Sequence, residues 1–331
     1  VERALELTRP GGIIALLLPS KLLRAGYATR LRALLRRRST ILGISDRAHS
    51  ARSGFDATVF PMLLVVRREE PEPDARAEIT VCAAGRSIHG AAAQRDLAID
   101  DAVPGSPWLA LPSDLVQAIR SALRCGPALH SLFRPALGVK TGANDVFVRP
   151  LDRADELPAS CRTPAILGRD VRPFVLSPSA ALLAAVDRRG VPLTDPPPDV
   201  LAYLAPYASR LARRVDARLG RCPSWELFRT DLLRAEWIVV WRDIAPRVEA
   251  ALLHRSGARD PVPLNTCYGV AAPDEATGEC LVAYLNSRLI RSLAAAIAER
   301  ASGGAYRFSA ATIGALPLPS DLDSQSCRIL E

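Results

Sequence analysis

The sequence predicts an α/β protein: the C-terminal part of a doubly wound, Rossmann-like sheet followed by a mixed α+β domain. Three observations predict it. Ile13 to Leu18 is apolar at every position, the pattern of a strand covered on both faces. Leu23, Tyr27, Leu31, Leu34 and Leu35 then recur at spacings of three and four among arginines, which is an amphipathic helix. Two further short runs, Ile41 to Ser45 and Thr58 to Val66, complete the order strand, helix, strand, loop, strand.

Taken in order, Val1 to Pro10 reads as the end of an amphipathic helix, and Gly11-Gly12 turns it into the first strand. The chain is therefore expected to begin inside a domain. Pro19 and Ser20 stop that strand. Pro61 implies that the strand from Thr58 lies at an edge or carries a bulge, because proline donates nothing to a ladder. The charged, proline-bearing run "EEPEPDARAE" is a surface loop before a short strand from Ile79 to Ala83. Ser113 can cap a helix with Leu115, Ile119 and Leu123 on one face.

Leu201 to Leu219 reads as a helix interrupted at Pro206, with Arg210, Arg213 and Arg214 on a solvated face. The runs "EWIVVWRDIAPR" and Asn265 to Ala271 are strands, whose Trp241 and Tyr268 are expected to pack in the core. Leu281, Leu285, Leu289, Leu293 and Ile297 mark one long helix closed by Gly303-Gly304.

Composition bounds the function. With 331 residues, 49% hydrophobic and 24% charged, the chain can bury two cores and is not disordered. The 43 basic residues against 35 acidic ones give +8, which favours a polyanionic partner without demanding one. Lys21 and Lys140 are the only lysines, a bias toward arginine that a GC-rich genome also produces. Seven scattered cysteines, with no C-x-x-C pair, make neither a zinc site nor a disulfide framework. The four histidines are isolated, so no metal is expected. No apolar run reaches the roughly 18 to 20 residues of a membrane span, and no leader opens the chain, so a cytoplasmic protein without membrane contact is expected.

Two stretches carry chemistry. In "LGVKTGANDVFV", Leu137 to Val148, two glycines four apart flank Lys140 and Thr141, and Asn144 follows. Such a loop offers open backbone N–H groups and side chains that reach phosphate oxygens or base edges, although a tight hairpin with Gly142 at positive φ has the same sequence. It is not a P-loop, because the glycine spacing differs. In "ILGRDVRPF", Ile166 to Phe174, Arg169 can bind phosphate or guanine, or be neutralised by Asp170.

The run "ALELTRPGGIIALLLPSKLLRAGYATRLRALL", followed by "SGFDATVFPMLLVVRR", resembles the later part of the catalytic domain of adenine-N6 DNA methyltransferases, most closely the gamma class. The loop at Leu137 to Val148, the run from Ile166, both later strands and "AYRFSAATIGALPLP" resemble, in that order, the target-recognition domain that follows it in restriction-modification enzymes of this kind.

The resemblance implies residues 1–85 as the C-terminal part of an S-adenosylmethionine-dependent methyltransferase domain and 86–125 as a connecting segment with a helix. It implies 126–320 as the DNA target-recognition domain and 321–331 as a tail. It implies that Phe55 stacks on a flipped adenine, with an ordinary core residue as the alternative and Phe60 as the rival position. It implies DNA contacts at Lys140, Thr141, Asn144, Arg169, Arg242 and Arg307.

The family's glycine-rich cofactor turn and its Asn-Pro-Pro-Tyr loop have no counterpart, Asp195-Pro196-Pro197-Pro198 being a proline-rich loop. The S-adenosylmethionine site is thus expected mostly in an absent N-terminal half, which a partner chain could supply, with double-stranded DNA as the other partner. The alternative is a non-catalytic, sequence-specific DNA-binding module or a degenerate remnant. No nuclease cluster and no G-x-S-x-G elbow is present.

Overall fold

The computed structural model describes residues 1–46, 60–83, 86–100, 102–219, 223–301 and 304–319. Two compact units emerge, Val1–Cys125 with Leu293–Arg307, and Gly126–Ser292 with the chain from Phe308 onward. The fold is α/β, with several sheets of mixed strand direction.

In the first unit, helix α1 (Glu2–Leu7) leads through Gly11, at φ +75°, into β1 (Ile13–Pro19). Helix α2 (Thr29–Arg38), β2 (Thr40–Asp46), β3 (Pro61–Arg67), β4 (Arg76–Ala83) and β5 (Arg86–Ala93) follow, then helix α3 (Ser113–Leu123). The sheet order is β1-β3-β2-β4-β5, with β2 and β4 parallel and the other pairs antiparallel. Leu35, Ile41, Met62, Leu64, Ile79 and Trp108 form its core.

Three expectations are corrected here. β3 is interior, inserted between β1 and β2. Pro61 is tolerated because it is the first residue of the strand, opposite Pro19 at the end of β1, and the bulge falls in β2 between Ile41 and Gly43. β1 is covered on one face only: as an edge strand it leaves Ile13 61% and Leu17 57% exposed. β5 was not legible at all, since "RSIHGAAA" is poor in β-branched and aromatic residues; eight-residue pairing with β4 forms it.

α2 also hides a structural cation. Arg32 is buried and donates to the carbonyls of Leu22, Ala25, Gly105 and Ser106, so it ties loops together instead of facing solvent.

The second unit begins with α4 (Leu129–Leu132), β6 (Ala136–Leu137), α5 (Asn144–Phe147), β7 (Val148–Pro150) and β8 (Arg162–Ile166). The hairpin β9 (Val171–Arg172) and β10 (Val175–Leu176), strand β11 (Ala180–Leu183) and helices α6 (Pro198–Leu204) and α7 (Ala208–Leu211) come next. β12 (Trp237–Arg242), β13 (Ile244–Ala245), β14 (Ala250–His254), β15 (Val262–Pro263) and β16 (Cys267–Ala272) precede α8 (Glu275–Asn286), and α9 (Arg288–Ile297) carries the chain from the second unit into the first. Two four-stranded sheets result, β15-β8-β11-β7 and β14-β12-β16-β6.

Trp241 is fully buried and its indole N–H donates to the carbonyl of Phe308 at 2.8 Å; Tyr268 stacks on it with ring centroids 6.3 Å apart. The region from Leu201 is not one helix: α6 and α7 flank a turn at Pro206, and Arg214 is buried instead of solvated. Nor is there one long helix to Gly303-Gly304. α8, capped by Asp274 through the Thr277 amide, breaks at Ser287, and α9 ends at Ile297, before β17 (Glu299–Arg300) of the first unit. β18 (Tyr306–Arg307) pairs with β17, and α10 (Ala310–Gly314) closes the described chain. Among the described residues no single helix is long and apolar enough to cross a membrane.

Candidate nucleic-acid interface

The glycine loop after β6 is built by close backbone approach. A Cβ on Gly138 would lie 2.3 Å from the Leu264 carbonyl oxygen, so only glycine fits. Val139 then donates to Pro263, and Lys140 and Phe228 exchange backbone hydrogen bonds. Gly142 turns the chain at φ +69°, as the hairpin alternative required.

Inside the turn, the Thr141 hydroxyl accepts from the Ala143 amide at 3.0 Å and donates to Asn144 Oδ1 at 2.6 Å. Arg214 lies under the loop, donating to the carbonyls of Thr141 and Glu226 at 2.8 Å each, with its guanidinium carbon 4.8 Å from the centre of the Phe228 ring. Thr141 is thereby buried and serves the loop, while Asn144 is exposed. Lys140 makes an ion pair of 2.6 Å with Asp216, whose carboxyl it holds below the usual range.

A second constellation lies where β12 ends and β16 begins. Leu167, Gly168, Arg169, Arg242, Asp243, Ile244 and Thr266 line a cleft of about 290 Å³. Its floor is fixed by the Gly168 amide on Thr266 Oγ1 at 2.9 Å and the Asp243 amide on the Thr266 carbonyl at 3.0 Å. The buried Asp170 carboxylate accepts from the amides of Leu167 and Ser179, holding Arg169 at the rim.

Arg169 is 67% exposed and 3.9 Å from Asp170, with a hydrogen bond to Ser179, so its neighbour neutralises it only weakly. Arg242 is different: 20% exposed, it pairs at 2.8 Å with Glu249, itself 8% exposed, while its Nε is buried with no hydrogen-bond partner among the described residues. Arg247 also reaches Glu249, at 3.5 Å. Chemically, the cleft offers guanidinium donors to phosphate oxygens or the guanine edge. Nearby Cys267 is not a nucleophile, for burial pushes its thiol up to about 12.

Next to the cleft, β9 and β10 are joined by Pro173-Phe174. Proline followed by a residue at positive φ is the pattern of a type II turn, whose second position normally takes glycine or asparagine. Here that residue is Phe174, at φ +66°. A non-glycine residue there carries strain of about 1–3 kcal/mol.

Of the sequence-predicted contacts, the structure brings Arg169 and Arg242 together in one cleft and sets Lys140, Thr141 and Asn144 on one loop. Arg307 lies in the first unit, exposed on β18 opposite Glu299. Phe55 lies outside the described residues, and the rival Phe60 is half-buried just before β3. Asp243, Thr266 and Phe174 carried no functional signal in the sequence. No cluster of three metal-ligating side chains occurs among the described residues.

No protein-family model matches the chain, and no curated protein matches it. Solved structures do. A type IIL restriction-modification enzyme, MmeI, determined in complex with DNA, aligns over 90% of this chain with a TM-score of 0.55 and 11% identity. The type IIG restriction endonuclease BpuSI aligns over 99% with a TM-score of 0.37 and 13% identity. This chain spans 38% and 42% of the lengths of those two proteins. The likeness to MmeI is one of fold.

Proposed function

We propose that this chain is the DNA-contacting portion of a restriction-modification enzyme that methylates N6 of adenine. The observation that carries the reading is the shared fold, over 90% of the chain, with an enzyme solved on DNA. The arginine cleft at Arg169 and Arg242 supplies chemistry that suits such a partner. In this reading the second unit positions duplex DNA through phosphate contacts and reads base edges from the cleft. Phe55 stacks on the extruded adenine, recovering part of the few kcal/mol lost on unstacking.

The methyl donor of this reading, S-adenosylmethionine, is a sulfonium cation. A cavity of about 1010 Å³ in the first unit is rimmed by Arg30, Arg36 and Arg37 beside Tyr27, with Glu2 the sole carboxylate among its lining residues. Guanidinium groups repel a sulfonium centre, so this cavity does not fit the donor. Among the described residues β1 is the edge strand of its sheet, and Ile13 and Leu17 leave a bare apolar face on it; such a surface suits cover by further polypeptide, as this reading needs.

The test is duplex binding across a salt series. Arg169→Ala and Arg242→Ala are each expected to weaken binding, with a shallower slope of log K against log salt wherever a phosphate contact is lost. Unchanged affinity and slope in both would remove the cleft from the interface. The chain alone is expected to incorporate no labelled methyl into DNA, and incorporation would overturn the division of labour proposed.

A further inference from the structure

We propose that Phe174 is a DNA wedge: its ring enters the duplex beside the arginine cleft and stacks on bases there, an inference that rests on the DNA-binding reading above. The residue is 64% exposed, so its ring does not serve the core of this chain. It also occupies a left-handed backbone position at φ +66°, where an aromatic side chain is disfavoured and glycine would be free of strain. Neither packing nor turn chemistry accounts for a phenylalanine here.

The strained tip is held from several sides. The Phe174 amide donates to the Ala250 carbonyl at 2.9 Å, and the side-chain amide of Asn286 donates to that same carbonyl at 2.8 Å. Asn286 Oδ1 accepts from the Ala250 amide, and Arg291 grips both Asn286 Oδ1 and the Val248 carbonyl. At the other end Asp170 ties the hairpin base through its carboxylate and its carbonyl, which accepts from Ser177. Between Val248 and Ala250 stands Glu249, the carboxylate that pairs with Arg242. One short segment thus supports both the exposed ring and the cationic cleft.

The surroundings choose the partner. Arg172 and Val175 flank the ring in the turn and are exposed, and Arg169 and Arg247 extend the cationic rim. An apolar ring set among guanidinium groups is complementary to a polyanion with stacked π-faces, and double-stranded DNA is that partner. A protein partner would match the ring but leave those charges to be desolvated without counter-charges.

The experiment uses the full chain and a short duplex that the unaltered protein has selected from a randomised pool, with 2-aminopurine placed at successive positions. The unaltered chain is expected to brighten the probe at one step, where stacking is broken. Phe174→Gly relieves the backbone strain and should melt no lower than the parent. It should bind about tenfold more weakly or worse, keep its salt slope, and lose the brightening. Phe174→Trp should retain binding, with its indole emission quenched by DNA. Unchanged affinity and unchanged probe signal in Phe174→Gly would overturn the wedge while leaving DNA binding intact. A lowered melting temperature for Phe174→Gly would mark a packing residue and overturn it as well. No duplex selected by the unaltered chain would sink the DNA-binding reading and the wedge with it.

Discussion

Replacing Glu249 by alanine tests whether the arginine cleft is preorganised. The carboxylate is 8% exposed and lies 2.8 Å from Arg242, which is itself 20% exposed and has a buried Nε without a partner among the described residues. Removing one partner of a buried pair costs about 3–5 kcal/mol, because the other charge stays behind in a poor solvent. Partial exposure of Arg242 lets some water reach it, which places the expected loss near the lower end, about 3 kcal/mol or a factor of about 100 in the unfolding equilibrium. Arg242→Met with Glu249→Met removes both charges and should recover most of that loss, to within about 1 kcal/mol of the parent. Urea unfolding followed by tryptophan emission reads this directly, since Trp237 and Trp241 sit in β12 next to the pair. A Glu249→Ala chain within about 0.5 kcal/mol of the parent, the range of an exposed ion pair, would refute the argument. So would a double variant as unstable as the sum of its parts.

Two further predictions concern the glycine loop. Gly138→Ala would bring a methyl group to 2.3 Å from the Leu264 carbonyl oxygen and 2.7 Å from that of Pro263, both backbone atoms that cannot rotate away. A loss of about 1–3 kcal/mol is expected in thermal unfolding, and a neutral result would show that the two strands are not so close. Lys140 lowers the Asp216 carboxyl pKa, so the pair contributes stability that is present above the unfolded value and lost as pH falls through the folded one. Both side chains are partly exposed, so the Lys140→Met deficit should be only about 0.5 kcal/mol at neutral pH and should disappear as pH falls through the lowered carboxyl pKa of Asp216. A deficit that persisted in acid would assign it to lost packing instead.

The elements that the sequence revealed best are those whose signal is local. α2, β2, β12 and β16 follow from periodicity and apolar runs. α3 follows from its apolar spacing, but the expected cap is corrected: Pro112 is the N-cap, and Ser113, the first helical residue, accepts from the Ala93 amide and donates to Asp96 instead. Placement was less legible. Pro61 argues for an edge strand only if the proline lies inside the ladder, and its position at the first residue depends on where β1 ends across the sheet. The single helix expected from Leu281 onward fails at Ser287 because the preceding residue, Asn286, turns its amide to the backbone of β14, a contact that spacing cannot show. Buried arginines misled in the same way. Arg32 lies in α2 and Arg214 in the stretch after α7 that reads as helix, yet each is buried and finds several carbonyls that no local pattern announces.

For the candidate interface, residue type pointed to Arg169 and Arg242, but their difference is tertiary. Arg242 has a buried counter-charge seven residues on, just before β14, whereas Arg169 stands beside an aspartate whose carboxylate is spent on backbone amides. A guanidinium held by a buried carboxylate is fixed in direction and can discriminate between bases, while one at an exposed rim follows the nearest phosphate. Loss of Arg242 should therefore reduce selectivity among duplexes more than overall affinity, and loss of Arg169 the reverse. Phe174 completes the argument from the opposite side. Its sequence context, Pro-Phe before two apolar residues, reads as the start of a strand, and only the left-handed backbone reveals that the ring is held outward against its own preference. A side chain kept in that state by hydrogen bonds from three separate segments has a cost in the free protein that an ordinary turn would avoid, and contact with a ligand is the state in which that cost can be recovered.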